Sequence, residues 1–180
     1  MSIENKTKRN LVINNQDQEI KSIATRWLNL ISEHKIDEIC AMTAPDWKMH
    51  GGPVGLPIGA EGVHELFRMI GPVKQHWTID EIIAEGDKVV IRATNICQQD
   101  SFFGIPSYGV VQRFSAMFIH HIVDGMIVET WRNADDLGRL LQLGMRIKAN
   151  GAGPNLGNSF GTDVSDTWTT AGLRVSANVK

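Results

Sequence analysis

Three histidines and two aspartates stand out from this chain as groups that could move protons near neutral pH. His120 and His121 lie in the apolar run Phe118-Ile119-His120-His121-Ile122-Val123. Asp135 and Asp136 follow the alternating stretch Met126-Ile127-Val128-Glu129-Thr130-Trp131-Arg132, and His50 precedes the turn-forming Gly51-Gly52-Pro53. A positioned His or Asp exchanges protons with a reacting carbon or oxygen when its pKa sits near the working pH. A carboxyl at the apolar rim of a pocket is raised toward that range.

The elements that must position these groups are a β-hairpin and a short helix. With Asp124-Gly125 as a two-residue turn, Val123 pairs with Met126, His121 with Val128 and His120 with Glu129. Alternation then places His120 on one face with Phe118, Glu129 and Trp131, and His121 on the other with Ile119, Val128 and Thr130. The two histidines cannot face one cavity unless a bulge intervenes, which argues against a paired metal site. The more apolar surroundings of His121 favour it as the inward residue. At the strand end one aspartate can cap the helix Leu137–Leu143 while the other faces the cavity mouth.

Upstream, Ile20, Ile23, Ala24, Trp27, Leu28 and Ile31 recur at helical spacing and mark one buried face. Trp27 lies on that face, where its indole N–H needs a partner and could donate to a ligand oxygen. A second helix is expected over Ile36–Met42, a turn-rich passage over Trp47–Gly59 and a third helix over Ala60–Ile70. The period then changes to that of strands: Trp77–Ala84, Val89–Cys97, Val110–Val123 and Met126–Arg132. Phe102 and Phe103, beside Gly104 and Pro106, suit a flap over a pocket. Helices first and an antiparallel meander after them indicate α+β. Residues 1–16 read as a flexible polar arm, 17–148 as the folded domain, and 149–180 as a tail rich in Gly, Ser and Thr with too few apolar residues to build a core.

Composition excludes several classes. The 180 residues carry 18 basic and 20 acidic side chains, a formal net charge of -2, with no basic stripe for nucleic acid or for a membrane surface. No apolar run reaches the length of a membrane span, and no secretory signal opens the chain, so a cytoplasmic location is expected. The two cysteines, Cys40 and Cys97, are expected reduced and buried. Phosphate-binding glycine patterns, a serine nucleophile elbow and zinc spacings are missing.

The succession Glu85-Gly86-Asp87-Lys88-Val89-Val90, Phe103-Gly104-Ile105-Pro106, Asp124 to Trp131 and Asp135 to Gly144 resembles the SnoaL-like polyketide cyclase family, within the nuclear-transport-factor-2-like superfamily. The resemblance spans about Gln18 to Gly144, and its last block, Glu-x-Trp, Asp and Leu-Leu-Gln-Leu-Gly, is the most specific part. It implies a cone-shaped α+β barrel, a curved antiparallel sheet wrapped around N-terminal helices with a deep apolar pocket. It also implies intramolecular aldol closure by an acid with a histidine, using no metal or organic cofactor. Carried onto this chain, the acid is Asp135, which leaves Asp136 as the helix cap, and the histidine is His121 or His120. His50, Trp27, His120, Trp131, Phe102 and Phe103 are expected to contact a small apolar carbonyl compound. Thr94-Asn95-Ile96-Cys97 departs from the family's Thr-His-x-Gly loop. Other readings on the same cone are a dehydratase, isomerase or hydrolase, or a binding module without turnover. A homodimer or higher homo-oligomer is expected.

Overall fold

The structure is a computed structural model that describes residues 3–146, with side chains from residue 15 onward. The expected tail, 149–180, lies outside the described residues. Helix α1 (Ile3–Glu33) runs through the segment that the sequence reads as a polar arm, and is followed by α2 (Ile36–Met42), strand β1 (Thr43–His50) and α3 (Gly59–Ile70). Then come β2 (Val73–Glu85), β3 (Lys88–Gln99), the short strands β4 (Ser101–Phe102) and β5 (Ile105–Pro106), β6 (Gln112–Val123), β7 (Met126–Ala134) and α4 (Asp136–Gln142). The fold is α+β, as expected. No helix among the described residues is long and apolar enough to cross a membrane.

The main sheet has five strands in the order β1-β7-β6-β3-β2. It is mixed rather than wholly antiparallel, because β1 pairs parallel with β7. The sequence gives β1 little signal: Pro45 and Asp46 suppress strand propensity, and only Trp47 is large, apolar and buried within it. Tertiary context makes it a strand. Trp47 is fully buried, and its indole N–H donates to Thr130 Oγ1 at 3.0 Å on the neighbouring strand. Gly62 lets α3 close over it, since a Cβ there would lie 3.3 Å from the Trp47 ring and 2.1 Å from the Pro57 carbonyl oxygen.

Helix α1 lies across the sheet and buries Ile20, Ala24, Trp27 and Leu28 against Val89, Ile91, Phe118 and Ile122. This is the helical face that the sequence periodicity marks. Along β3 the inward residues are Val89, Ile91, Ala93, Asn95, Cys97 and Gln99. They pass from apolar to polar, so the sheet itself has a closed, greasy end and a wetter one.

The wetter end is capped by α4. Asp135 receives a hydrogen bond from Gly138 N at 2.8 Å. The side-chain amide of Gln142 then bridges to β6, donating to the Arg113 carbonyl at 2.8 Å and accepting from the Arg113 N–H at 2.9 Å. The helix stops at Gly144 (φ +102°), with Met145 N–H on the Leu140 carbonyl and Gly144 N–H on that of Leu141. The Leu-Leu-Gln-Leu-Gly block is thus a clamp and a stop signal, and it fixes which side of α4 looks inward.

Candidate functional site

An interior cavity of about 580 Å³ opens between α1, α3, α4 and the concave face of the sheet. Trp27, Ile31, Leu66, Phe67, Trp77, Phe114 and Phe118 form its apolar walls. Exposed Val54, Met69 and Phe103 stand at its rim. Its charged lining comes from Arg132, Asp136 and Arg139, and its neutral polar lining includes Gln75, Asn95, Gln99 and Ser101.

The hairpin register decides which expected residues reach this space. Val123 pairs with Met126 and Ile122 with Ile127, but a bulge follows, so that His121 pairs with Glu129 and His120 with Thr130. Val128 is the extra residue. A bulge shifts alternation by one from that point, so Thr130 and Arg132 turn inward beside His120 and Phe118, while Glu129 and Trp131 turn outward. Strand β6 itself alternates without a break and buries Phe118, His120 and Ile122, so His121 points outward and the expectation that it faces inward is reversed.

His121 lies on the outer face, with Nε2 2.9 Å from Asp87 Oδ2. His50 also lies outside: its ring stacks on Trp131 at 5.0 Å and its Nε2 sits 2.7 Å from Glu129 Oε1. His50, Trp131 and His121 thus do not line the cavity. Trp27, Phe102 and Phe103 do.

His120 is completely buried behind the cavity wall, edge-on to Trp27 at 4.7 Å, with Nδ1 3.0 Å from Thr130 Oγ1. Burial pushes its pKa down to about 3, so it stays neutral and serves packing more than proton transfer. The sign of the linkage follows. Folding lowers this pKa from the ordinary 6.5, so stability is fully present above pH 6.5 and is lost as the pH falls toward 3. His120 alone is expected to cost about 2 kcal/mol between pH 7 and pH 5. Urea denaturation at the two pH values, compared with His120→Asn, measures this loss. A titrating His120 ring signal above pH 5 by NMR would contradict it.

The two aspartates exchange their expected tasks. Asp135 is exposed and caps α4. Asp136 lines the cavity, gripped by both Arg132 Nη atoms at 2.9 and 2.8 Å. The reason is local: the strand ends at Ala134, Asp135 N–H still bonds to the Ser115 carbonyl, and the first helical residue is the one that swings over the mouth. Replacing Asp135 by Ala is expected to cost about 1 kcal/mol in urea denaturation, the usual worth of a cap.

Arg139 carries no sequence signal beyond its place among Leu137, Leu140 and Leu141. It is 6% exposed and lies between two rings, 3.6 Å from the centre of Phe102 and 4.3 Å from that of Phe114. Nε donates to Gln112 Oε1 at 3.2 Å, and Nη2 to Gln99 Oε1 at 3.3 Å and Cys97 Sγ at 3.5 Å. Desolvation pulls the guanidinium below its ordinary pKa, with Cys97 and Asp136 opposing. Burial likewise raises the Cys97 thiol. Both cysteines are free thiols, Cys40 half-buried and Cys97 buried. Among the described residues no three His, Cys, Asp or Glu side chains converge as a metal site.

The chain matches the SnoaL-like polyketide cyclase family over residues 21–143, most of its length and all of the cavity walls. It belongs to that family. No curated protein matches it. Among solved structures, this SnoaL-like chain is similar to TsrD from Streptomyces laurentii, with 25% identity, a TM-score of 0.62, and coverage of 71% of this chain and 96% of that one. It is also similar to a proposed polyketide cyclase from Bacillus cereus ATCC 10987, with 28% identity, a TM-score of 0.58, and coverage of 72% and 83%. An epoxide hydrolase of the LEH-like type from M. tuberculosis shares the fold at 21% identity and a TM-score of 0.54, covering 71% of this SnoaL-like chain and 91% of that one.

Proposed function

We propose that this SnoaL-like protein is an acid–base enzyme acting on an enolisable, largely apolar carbonyl compound, with intramolecular aldol ring closure as its reaction type. The observation that carries the reading is the position of Asp136, the only carboxylate lining the cavity among the described residues. Arg132 occupies two of its acceptor positions, and a carboxylate has about four, so lone pairs remain for a substrate proton. Asp135 contributes through α4, as a positioning residue. His121, on the outer face, has no part in this reading.

A second group suits the oxyanion. Trp27 is 2% exposed, and its Nε1 has no hydrogen-bond partner among the described residues. Trp27 and Arg132 both flank Phe118, the first at 6.0 Å between ring centres and the second as its cross-strand partner. In the proposed step Asp136 removes a proton from the carbon beside a carbonyl. The electron pair moves to the carbonyl oxygen, which accepts the Trp27 N–H. The enolate carbon then bonds to a second carbonyl carbon of the same molecule, and the new alkoxide recovers the proton from Asp136. Apolar walls exclude water, which strengthens both interactions.

The test is hydrogen exchange at carbon. With 2-tetralone in D₂O, the protein is expected to accelerate loss of the α-proton NMR signals above the buffer rate, and Asp136→Asn to abolish the acceleration while 2-tetralone still binds. Saturable binding by the wild-type protein without faster exchange would instead support a binding module.

A further inference from the structure

We infer that the ligand of this cavity is an organic acid: an apolar skeleton whose carboxylate docks on Arg139, with a hydroxyl or N–H donor that reaches Asn95 deeper in the cavity. The inference rests on the reading of this cavity as the substrate site and adds to it the class of substrate.

Charge is the first ground. The cavity lining holds two guanidinium groups, Arg132 and Arg139, and one carboxylate, Asp136, which leaves one positive charge in excess. Asp136 is already committed to Arg132 through both oxygens. Arg139 is therefore a buried cation whose acceptors, Gln112, Gln99 and Cys97, are all neutral. Its Nη1 donates to nothing among the described residues, and a guanidinium has five N–H donors to place. Phe102 and Phe114 cover its two faces, so an incoming group can meet only its edge, the geometry that suits a planar carboxylate. Buried charges are ordinarily paired. A ligand anion would supply the missing partner.

Hydrogen-bond direction is the second ground. The Trp77 indole N–H can only donate, and it donates to Gln75 Oε1 at 3.2 Å. That oxygen therefore also receives Asn95 Nδ2, at 3.3 Å. The orientation of Asn95 is fixed by this relay, and its Oδ1 is left fully buried at the cavity wall without a partner among the described residues. An acceptor so placed calls for a donor on the ligand. Asn95 lies two residues along β3 from Cys97, which touches Arg139, so the donor sits about 7 Å further in than the carboxylate. A neutral ester brings no charge to Arg139, and a plain hydrocarbon satisfies neither group.

The experiment is fluorescence titration with three probes: 6-hydroxy-2-naphthoate, its methyl ester and 2-naphthoate. In the wild-type protein the hydroxy acid is expected to bind at least about tenfold more tightly than its ester, the scale of a charged hydrogen bond. Arg139→Gln should erase that preference, and Arg139→Lys should retain part of it. Loss of the hydroxyl should weaken binding by the wild-type protein and make no difference to Asn95→Leu. Equal wild-type affinity for acid and ester overturns the inference, and needs no variant to fold. Preference surviving in a folded Arg139→Gln overturns it too. The same ratio measured in Asp136→Asn separates the two proposals. An acid preference kept or enlarged there stands even if no wild-type exchange activity is found.

Discussion

Asp136→Asn is expected to lower proton-exchange turnover by about 10²–10⁴-fold, the range supplied by a positioned acid–base group. The amide keeps the size of the carboxylate and one acceptor oxygen toward Arg132, so the ligand still fits. It cannot accept a proton from carbon. Turnover and kcat/KM should therefore fall together, the pattern of an interaction made only in the transition state. Asp135→Asn is the control: it also removes a carboxylate next to α4, but one that faces solvent and caps the helix. If the Asp135 change abolishes exchange and the Asp136 change does not, the assignment of the base is wrong. Steady-state rates for the two variants, with folding checked by circular dichroism, decide it.

Trp47→Ala is expected to be the most destabilising single change, at about 3–5 kcal/mol, out of the roughly 5–15 kcal/mol typical of a domain. The side chain is fully buried, packs under α3 at Gly62, and carries the hydrogen bond that ties β1 to Thr130. Removing it leaves a cavity and deprives the Thr130 hydroxyl, itself shared with His120, of a donor. Trp47→Phe keeps most of the volume and loses the hydrogen bond, so about 1 kcal/mol is expected. Urea denaturation of both variants measures the difference. Equal small losses would mean that the site can collapse around the missing ring.

The effect should reach the cavity through the backbone. Gly51 follows β1 at φ +73°, and a Cβ there would lie 2.0 Å from the Arg132 carbonyl oxygen. The end of β1 thus rests directly on the residue that holds Asp136. Loosening β1 frees Arg132 to move.

Much of this molecule could be read from residue order. Periodicity in Ile20 to Ile31 marks the face of α1 that packs on the sheet, and the same spacing places Trp27 where it lines the cavity. The strand runs and the Asp124-Gly125 turn predict the meander, because local patterning and turn chemistry are properties of neighbouring residues. The Asp-to-Gly144 block identifies the family, and the fold it implies is the one observed.

Other features depend on partners far apart in sequence. β1 is a strand only because β7 is there to pair with it and Trp47 has a hole to fill. The bulge at Val128 is invisible to alternation, yet it inverts the faces of Glu129, Thr130, Trp131 and Arg132 against β6. His120 is inside and His121 outside for a separate reason: β6 alternates without a break, and its Phe118-His120-Ile122 face is the one that packs toward α1. Asp135 and Asp136 are chemically identical in sequence, and only the path of the chain out of β7 decides which caps α4 and which enters the cavity. Arg139, Gln75 and Asn95 gain meaning from hydrogen bonds between elements 20 to 42 residues apart.

The sequence by itself determined the α+β class, the helical face and the hairpins, because each rests on period and turn type. Tertiary structure alone decided which carboxylate, which histidine and which arginine face the cavity. A one-residue shift of register reverses every side chain beyond it, and the cause of such a shift is packing, not local preference.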